Sequence, residues 1–138
     1  MSFFWYQLTG GKEKWTLAPA EQRQKIISDL HPVLVTVLDA KSIPQDDWTR
    51  EQYLSMKYSG PLYMDWDAKD DLPKAIADMQ RTVARLVDDF KVPPEAMSIY
   101  ATGGKGFHLE IPMDVFATGN AAKTGVTLLP YVYSHMVL

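Results

Sequence analysis

Residues 62–67 read LYMDWD, a stretch in which apolar and polar side chains alternate. Because successive side chains of a β-strand point to opposite faces of a sheet, this alternation predicts a strand that buries its leucine, methionine and tryptophan. The same strand places Asp65 and Asp67 together on the opposite face. Two carboxylates are therefore expected one pleat apart on an otherwise apolar strand.

The segment after LYMDWD has the pattern of an amphipathic helix followed by two strands. Apolar residues recur at helical spacing over residues 72–90, directly after a pair of aspartates suited to cap a helix. Residues 97–101 are β-prone, a glycine-rich turn follows, and residues 107–111 alternate again. We therefore expect His108 and Glu110 to share one face of the last strand.

The flanking segments add further strands and helices. We predict strands at residues 2–8 and 33–38, and helices at residues 19–31, 42–57 and 128–137. The whole pattern predicts an α/β (α+β) fold with a mixed, largely antiparallel central sheet and helices on one face.

The composition is that of one globular domain over residues 1–138. The chain carries 14 Lys+Arg against 17 Asp+Glu, and this mild acidity argues against bulk electrostatic binding to nucleic acid, although it allows a local basic groove. The absence of cysteine excludes a disulfide scaffold, a zinc knuckle and a thiol nucleophile. The same absence of cysteine is compatible with the reducing cytoplasm, which is the location we predict. No run of about 20 apolar residues is present, so we expect no membrane partner.

Asp65 and Asp67 are the first candidates for chemistry. Two carboxylates that point the same way repel each other unless a cation lies between them, and Mg²⁺ or Mn²⁺ prefers such oxygen ligands. Enzymes of phosphoryl transfer use metal held in this way to bind substrate phosphates. The alternative is that both aspartates simply face water on a half-exposed sheet.

The second candidate is the stretch TGGKGFH at residues 102–108. Its glycines allow backbone N–H groups to approach an anion, and Lys105 supplies positive charge. It is not a Walker A loop, because the Gly-Lys-Ser/Thr ending is absent, and it is not a dinucleotide-binding loop, because a strand and not a helix follows. The alternative is a glycine-rich hairpin turn. The candidate nucleotide-binding residues are Thr102, Gly103, Gly104, Lys105, Gly106 and His108.

The two elements together resemble the archaeo-eukaryotic primase superfamily over about residues 59–112. LYMDWD resembles its first motif, in which two aspartates flank a hydrophobic residue, and the GFH of residues 106–108 resembles its second, a small residue followed by any residue and a histidine. The resemblance is to the primase-polymerase type of catalytic domain, with an RNA-recognition-motif-like (RRM-like) sheet in its catalytic core.

The resemblance implies a DNA primase or polymerase that joins nucleoside triphosphates on a single-stranded DNA template by a two-metal mechanism, in replication or repair. It implies that Asp65 and Asp67 ligate Mg²⁺ or Mn²⁺ and that His108 contacts the phosphates of the incoming nucleotide. Thr102, Lys105 and the loop amides would hold the triphosphate. A helicase or the remaining segment of a larger replication protein would be a partner.

The third motif of that superfamily, a carboxylate on a later strand, has no counterpart here. Asp114 is the last acidic residue; Glu110 shares the strand face of His108 and is the alternative third carboxylate, but we expect the missing strand beyond Leu138. We therefore expect a catalytic domain truncated before that motif, and we expect this chain alone to lack polymerase activity. Two alternatives stay open: a noncatalytic nucleotide or nucleic-acid binding module of a larger replication protein, and a purely structural α+β piece of one.

Overall fold

The computed structural model describes residues 1–12, 14–43, 49–101, 105–117, 119–127 and 129–137. The strands are, in chain order, β1 (Phe3–Gln7), β2 (Thr16–Pro19), β3 (Leu34–Val35), β4 (Asp39–Ala40), β5 (Lys57–Ser59), β6 (Leu62–Asp67), β7 (Ser98–Ala101), β8 (Gly106–Ile111) and β9 (Val126–Thr127). The α-helices are α1 (Arg23–Leu30), α2 (Arg50–Ser55), α3 (Leu72–Asp88), α4 (Ala121–Thr124) and α5 (Leu129–Val137).

The chain forms two compact units. The first unit comprises Met1–Gly60 and Gly119–Leu129, and the second comprises Pro61–Thr118 and Pro130–Leu138. The sequence predicts a single domain over residues 1–138. This remains a prediction, because a division into compact units does not decide the number of domains.

The first unit contains a sheet of short strands in the order β2-β1-β4-β5-β9, with β3 also paired to β1. Its core includes Phe4 and Ala40, both fully buried. The guanidinium of Arg23 lies 4.3 Å from the centre of the Phe4 ring and forms an ion pair with Asp39. Helix α1 follows a 3-10 turn at Ala20–Gln22 and ends where His31 adopts a left-handed conformation.

One strand prediction in the first unit is wrong. Residues 33–38 were expected to form a buried strand, yet only Leu34 and Val35 are β-structure, and both are exposed. They pair with only two residues of β1, Tyr6 and Gln7. Both side chains of this two-residue strand are exposed, so neither face of it is covered by the core, and the β-branched apolar run was a misleading signal.

The second unit contains a three-stranded antiparallel sheet in the order β6-β8-β7. Helix α3 packs against β6 and β8, and the side chains of Leu62, Leu109 and Ile111 are completely buried. The helix begins as the sequence predicts, because the Asp71 carboxylate accepts a hydrogen bond from the backbone N–H of Lys74 at 3.0 Å.

The α+β class with antiparallel sheets is confirmed. Every strand pair that the structure describes is antiparallel, and the strands are divided between two sheets. The predicted strand at residues 2–8 and the helices at residues 19–31 and 128–137 correspond to β1, α1 and α5. Of the helix predicted at residues 42–57, α2 forms the described part, and residues 44–48 lie outside the described residues. The RRM-like core stays a prediction.

None of the helices in the described part of the chain is both long enough and apolar enough to cross a lipid bilayer.

Candidate functional site

The pairing of β6 with β8 brings two of the candidate residues together. Asp65 lies directly opposite His108, and Asp67 lies directly opposite Gly106. Alternation along each strand puts these residues on one face of the sheet, whereas Leu62 and Leu109 lie on the other face, which is buried. Both aspartates are exposed to solvent and His108 is half-buried. The carboxylates and the imidazole therefore share one accessible surface.

Two tyrosines flank the imidazole of His108. The ring of Tyr63 on β6 is centred 5.2 Å from it, with 27° between the ring planes. The ring of Tyr100 on β7 is centred 4.6 Å from it, with 33° between the planes. Burial raises the pKa of the Tyr63 phenol, and the negative charges of Asp65 and Glu110 raise it further. Sequence reasoning did not assign either tyrosine a role.

The loop after β6 is joined to the loop before β8. The backbone N–H of Ala68 donates a hydrogen bond to the carbonyl oxygen of Lys105. One carboxylate oxygen of Asp67 accepts a hydrogen bond of 2.9 Å from the backbone N–H of Lys69, which fixes the orientation of that carboxylate. The bond to Ala68 places exposed Lys105 beside the loop that follows Asp67.

Gly106 is required by the close approach of two backbones. A Cβ atom added at this position would lie 1.8 Å from the carbonyl oxygen of Trp66, on the neighbouring strand. The sequence suggested that this glycine lets backbone amides approach a phosphate, but the contact with β6 is by itself a sufficient reason for glycine here.

The three remaining residues of the predicted phosphate loop, Thr102, Gly103 and Gly104, lie outside the described residues. Of the predicted nucleotide-binding set, the structure describes Lys105, Gly106 and His108.

A groove of about 530 Å³ lies beside the two aspartates. Five aspartates and two lysines are among its ten lining residues, which come from the end of β6, the β6–α3 loop and the first two turns of α3 and include Asp65, Asp67, Lys69, Lys74 and Asp78. Lys74 forms an ion pair of 2.5 Å with Asp78, and this hydrogen bond lowers the pKa of the Asp78 carboxyl. Lys69, Lys74 and Asp78 were not singled out from the sequence, although the i, i+4 spacing of the last two was a visible signal.

Asp65 and Asp67 are the carboxylates for which the sequence predicts a bound Mg²⁺ or Mn²⁺. The described residues include no cluster of three or more His, Cys, Asp or Glu side chains able to hold a metal ion. Glu110 lies opposite Tyr63, and it does not complete such a cluster with Asp65 and Asp67. Two carboxylates nevertheless fit Mg²⁺, which commonly uses one or two protein carboxylates and takes its other ligands from water and substrate phosphates.

Comparison with known protein families, with curated proteins and with solved structures finds no match to this chain. The geometry of the second unit is thus the basis for a functional assignment.

Proposed function

We propose that this chain is a nucleotidyltransferase module of the primase-polymerase type, which joins nucleoside triphosphates on a single-stranded DNA template. The observation that supports the proposal best is the cross-strand pair of Asp65 and His108, with Asp67 on the same accessible face. Cytoplasmic replication or repair, and a helicase or a further segment of a replication protein as partner, belong to the same proposal.

Each residue has a defined role in this reaction. Asp65 and Asp67 would hold Mg²⁺ or Mn²⁺, which neutralises phosphate charge when bound. His108 would donate a hydrogen bond to a phosphate oxygen, and the ammonium group of Lys105 would balance the charge of the triphosphate. The 3′-hydroxyl oxygen of the growing strand would attack the α-phosphorus, its proton would leave to solvent, and the bond to pyrophosphate would break.

The groove beside Asp65 and Asp67 supports a small-molecule substrate. Its volume of about 530 Å³ falls within the range of about 300–1,000 Å³ that is usual for ligand pockets. The lining carries five aspartates against two lysines, and Lys74 is paired with Asp78. A polyanionic triphosphate would therefore bind here together with the divalent metal that Asp65 and Asp67 would hold, because the metal offsets this negative charge.

The first test is ligand-dependent thermal stability. We expect Mn²⁺ with a nucleoside triphosphate to raise the melting temperature of the wild-type chain, since a ligand at a hundredfold its Kd stabilises the folded state by about 2.7 kcal/mol. Asp67→Asn and Asp65→Asn remove a negative charge without changing side-chain size, and each should abolish the shift. Asp29→Asn, in an exposed ion pair of the first unit, is the matched control and should retain it.

The second test is template-directed incorporation of a labelled nucleotide into a primed single-stranded DNA. Incorporation that depends on Asp65, Asp67 and Mn²⁺ would support the polymerase. An unchanged melting temperature of the wild type with Mn²⁺ and triphosphate would contradict the proposal, as would full retention of the shift in both Asn variants.

A noncatalytic nucleotide-binding module is the second candidate function. It is favoured by one observation, namely that the described residues do not include a cluster of three acidic or histidine ligands. The two candidates differ in a single result: the binding module gives the metal-dependent thermal shift without any incorporation of nucleotide.

A further inference from the structure

We propose that Tyr63 and Tyr100 are positioning residues that hold the imidazole of His108 for contact with a nucleotide phosphate. This inference rests on the proposed function and adds two residues to its site. We call the three side chains the tyrosine–histidine row.

The row crosses all three strands of the second unit's sheet. His108 is on the central strand β8, and β6 and β7 are its two neighbours. Tyr100 is the direct cross-strand partner of His108, while Tyr63 faces Glu110 and is therefore the diagonal neighbour of His108. Because β6 and β7 lie on opposite sides of β8, the two phenol rings approach the imidazole from opposite flanks.

The ring geometry restricts how a ligand can reach His108. Centroid distances of 5.2 and 4.6 Å lie within the usual range for interacting aromatic rings, and the ring planes are inclined by only 27° and 33°. Rings in this relation contact one another largely through their faces. The edge of the imidazole, which carries both nitrogen atoms, is consequently the part left for a hydrogen bond to phosphate.

The row holds a side chain that would otherwise have rotational freedom. His108 is half-buried, and no hydrogen bond to its side chain is among those the structure describes, so ring contacts are what restrict its rotamers. A ligand that binds a pre-positioned group loses less affinity to ordering than one that must first fix a mobile side chain. The contribution of the tyrosines would thus be to triphosphate binding, with metal binding left to Asp65 and Asp67.

A stacking surface for single-stranded nucleic acid fits the row less well. Each tyrosine directs ring surface toward His108, and without bound metal the carboxylates of Asp65, Asp67 and Glu110 on the same face repel a phosphodiester backbone. A positioning role uses the ring contacts that are present, and it leaves Asp65 and Asp67 to hold the metal that would offset the charge of the triphosphate.

The test combines two measurements on the full chain. The first is the NMR spectrum of the histidine rings, in which His108→Gln identifies the His108 signals among the three histidines. We expect an upfield ring-current shift of the His108 protons that Tyr63→Leu and Tyr100→Leu reduce. The second is calorimetric binding of a nucleoside triphosphate with Mg²⁺, for which each Leu variant should raise the Kd about tenfold.

Conservative variants separate ring from hydroxyl effects. Tyr63→Phe and Tyr100→Phe keep the ring, so both should retain the ring-current shift and the wild-type Kd. Tyr131→Leu, an exposed tyrosine of α5, is the matched control and should change neither measurement. Binding of Mn²⁺ alone, followed by electron paramagnetic resonance, should be the same in the Leu variants and the wild type, which distinguishes lost positioning from a damaged fold.

Four results would overturn the inference. Leu variants that bind the triphosphate as tightly as the wild type would remove the positioning role while leaving the proposed function intact. Phe variants that bind as weakly as the Leu variants would assign the effect to the hydroxyl groups. Metal-independent binding of oligo-dT that is lost in the Leu variants would identify a stacking surface instead. A wild type that shows the ring-current shift yet binds no triphosphate would overturn the proposed function and this inference together.

Discussion

The two sheets of this protein differ in the length over which their strands pair. In the second unit, β6 and β8 pair over six consecutive residues, from Leu62 opposite Ile111 to Asp67 opposite Gly106. In the first unit, β3, β4 and β9 are only two residues long. A long pair with one covered face imposes alternation on the sequence, whereas a two-residue pair imposes no pattern. This difference explains why alternation correctly predicts the strand at residues 62–67, whereas the apolar run at residues 33–38 predicts a longer and more buried strand than the structure contains.

The strongest test of this difference compares one buried and one exposed leucine. Leu109, at the centre of β8, is completely buried, whereas Leu34 on β3 is 45% exposed. We expect Leu109→Ala to lower the free energy of unfolding by about 2–5 kcal/mol because it leaves a cavity. Leu34→Ala should change it by about 0.5 kcal/mol. Urea denaturation followed by circular dichroism measures both, and equal losses would contradict the contrast between the two sheets.

A smaller effect is expected from glycine substitutions. Gly106→Ala places a Cβ atom 1.8 Å from the Trp66 carbonyl oxygen, so β6 and β8 must separate, at a cost of about 2–3 kcal/mol. Gly11→Ala meets no atom within 4 Å, and only its φ of +70° is unfavourable, which costs about 1 kcal/mol. Amide hydrogen exchange should show faster exchange in β6 and β8 for the first variant alone. Unchanged protection of those strands in Gly106→Ala would show that the close approach does not constrain them.

The smallest expected effect is the difference in stability between variants at the N-caps of α3 and α1. Asp71 caps α3 through its bond to Lys74, whereas Gln22 precedes α1 without a capping side-chain bond. We expect Asp71→Ala to lower the free energy of unfolding by about 1 kcal/mol and Gln22→Ala to leave it unchanged. Thermal melts of the two variants provide the comparison. A loss in Gln22→Ala as large as that in Asp71→Ala would show that the cap of α3 contributes nothing specific.

The sequence predicts those parts of the fold that depend on interactions between residues close in sequence. The cap at Asp71, the apolar spacing of α3 and the alternation of β6 and β8 all act between residues close in sequence, and each is present in the structure. The assignment of strands to two sheets depends on contacts between distant segments, for which no periodicity gives a signal. The same holds for β3, where a β-branched apolar run was not sufficient to make a buried strand.

The sequence predicts which face of each strand carries the candidate residues, but it does not predict the register in which β6 pairs with β8. Alternation placed Asp65, Asp67 and His108 on polar faces of their strands. That Asp65 pairs with His108, and not with Glu110, depends on how the chain between the two strands closes, and this is not encoded in either motif. Tyr63 and Tyr100 were visible as residues of alternating strands, yet their contact with His108 required the strand order β6-β8-β7.

The hydrogen bond between Ala68 and Lys105 has an evolutionary consequence. It connects two loops that are far apart in sequence, so a substitution in one loop changes the backbone on which the other depends. Substitutions at residues 68–71 and at Lys105 should therefore show epistasis, with combined effects that differ from the sum of the single ones. In diverging descendants of this chain, the two loops are expected to change together.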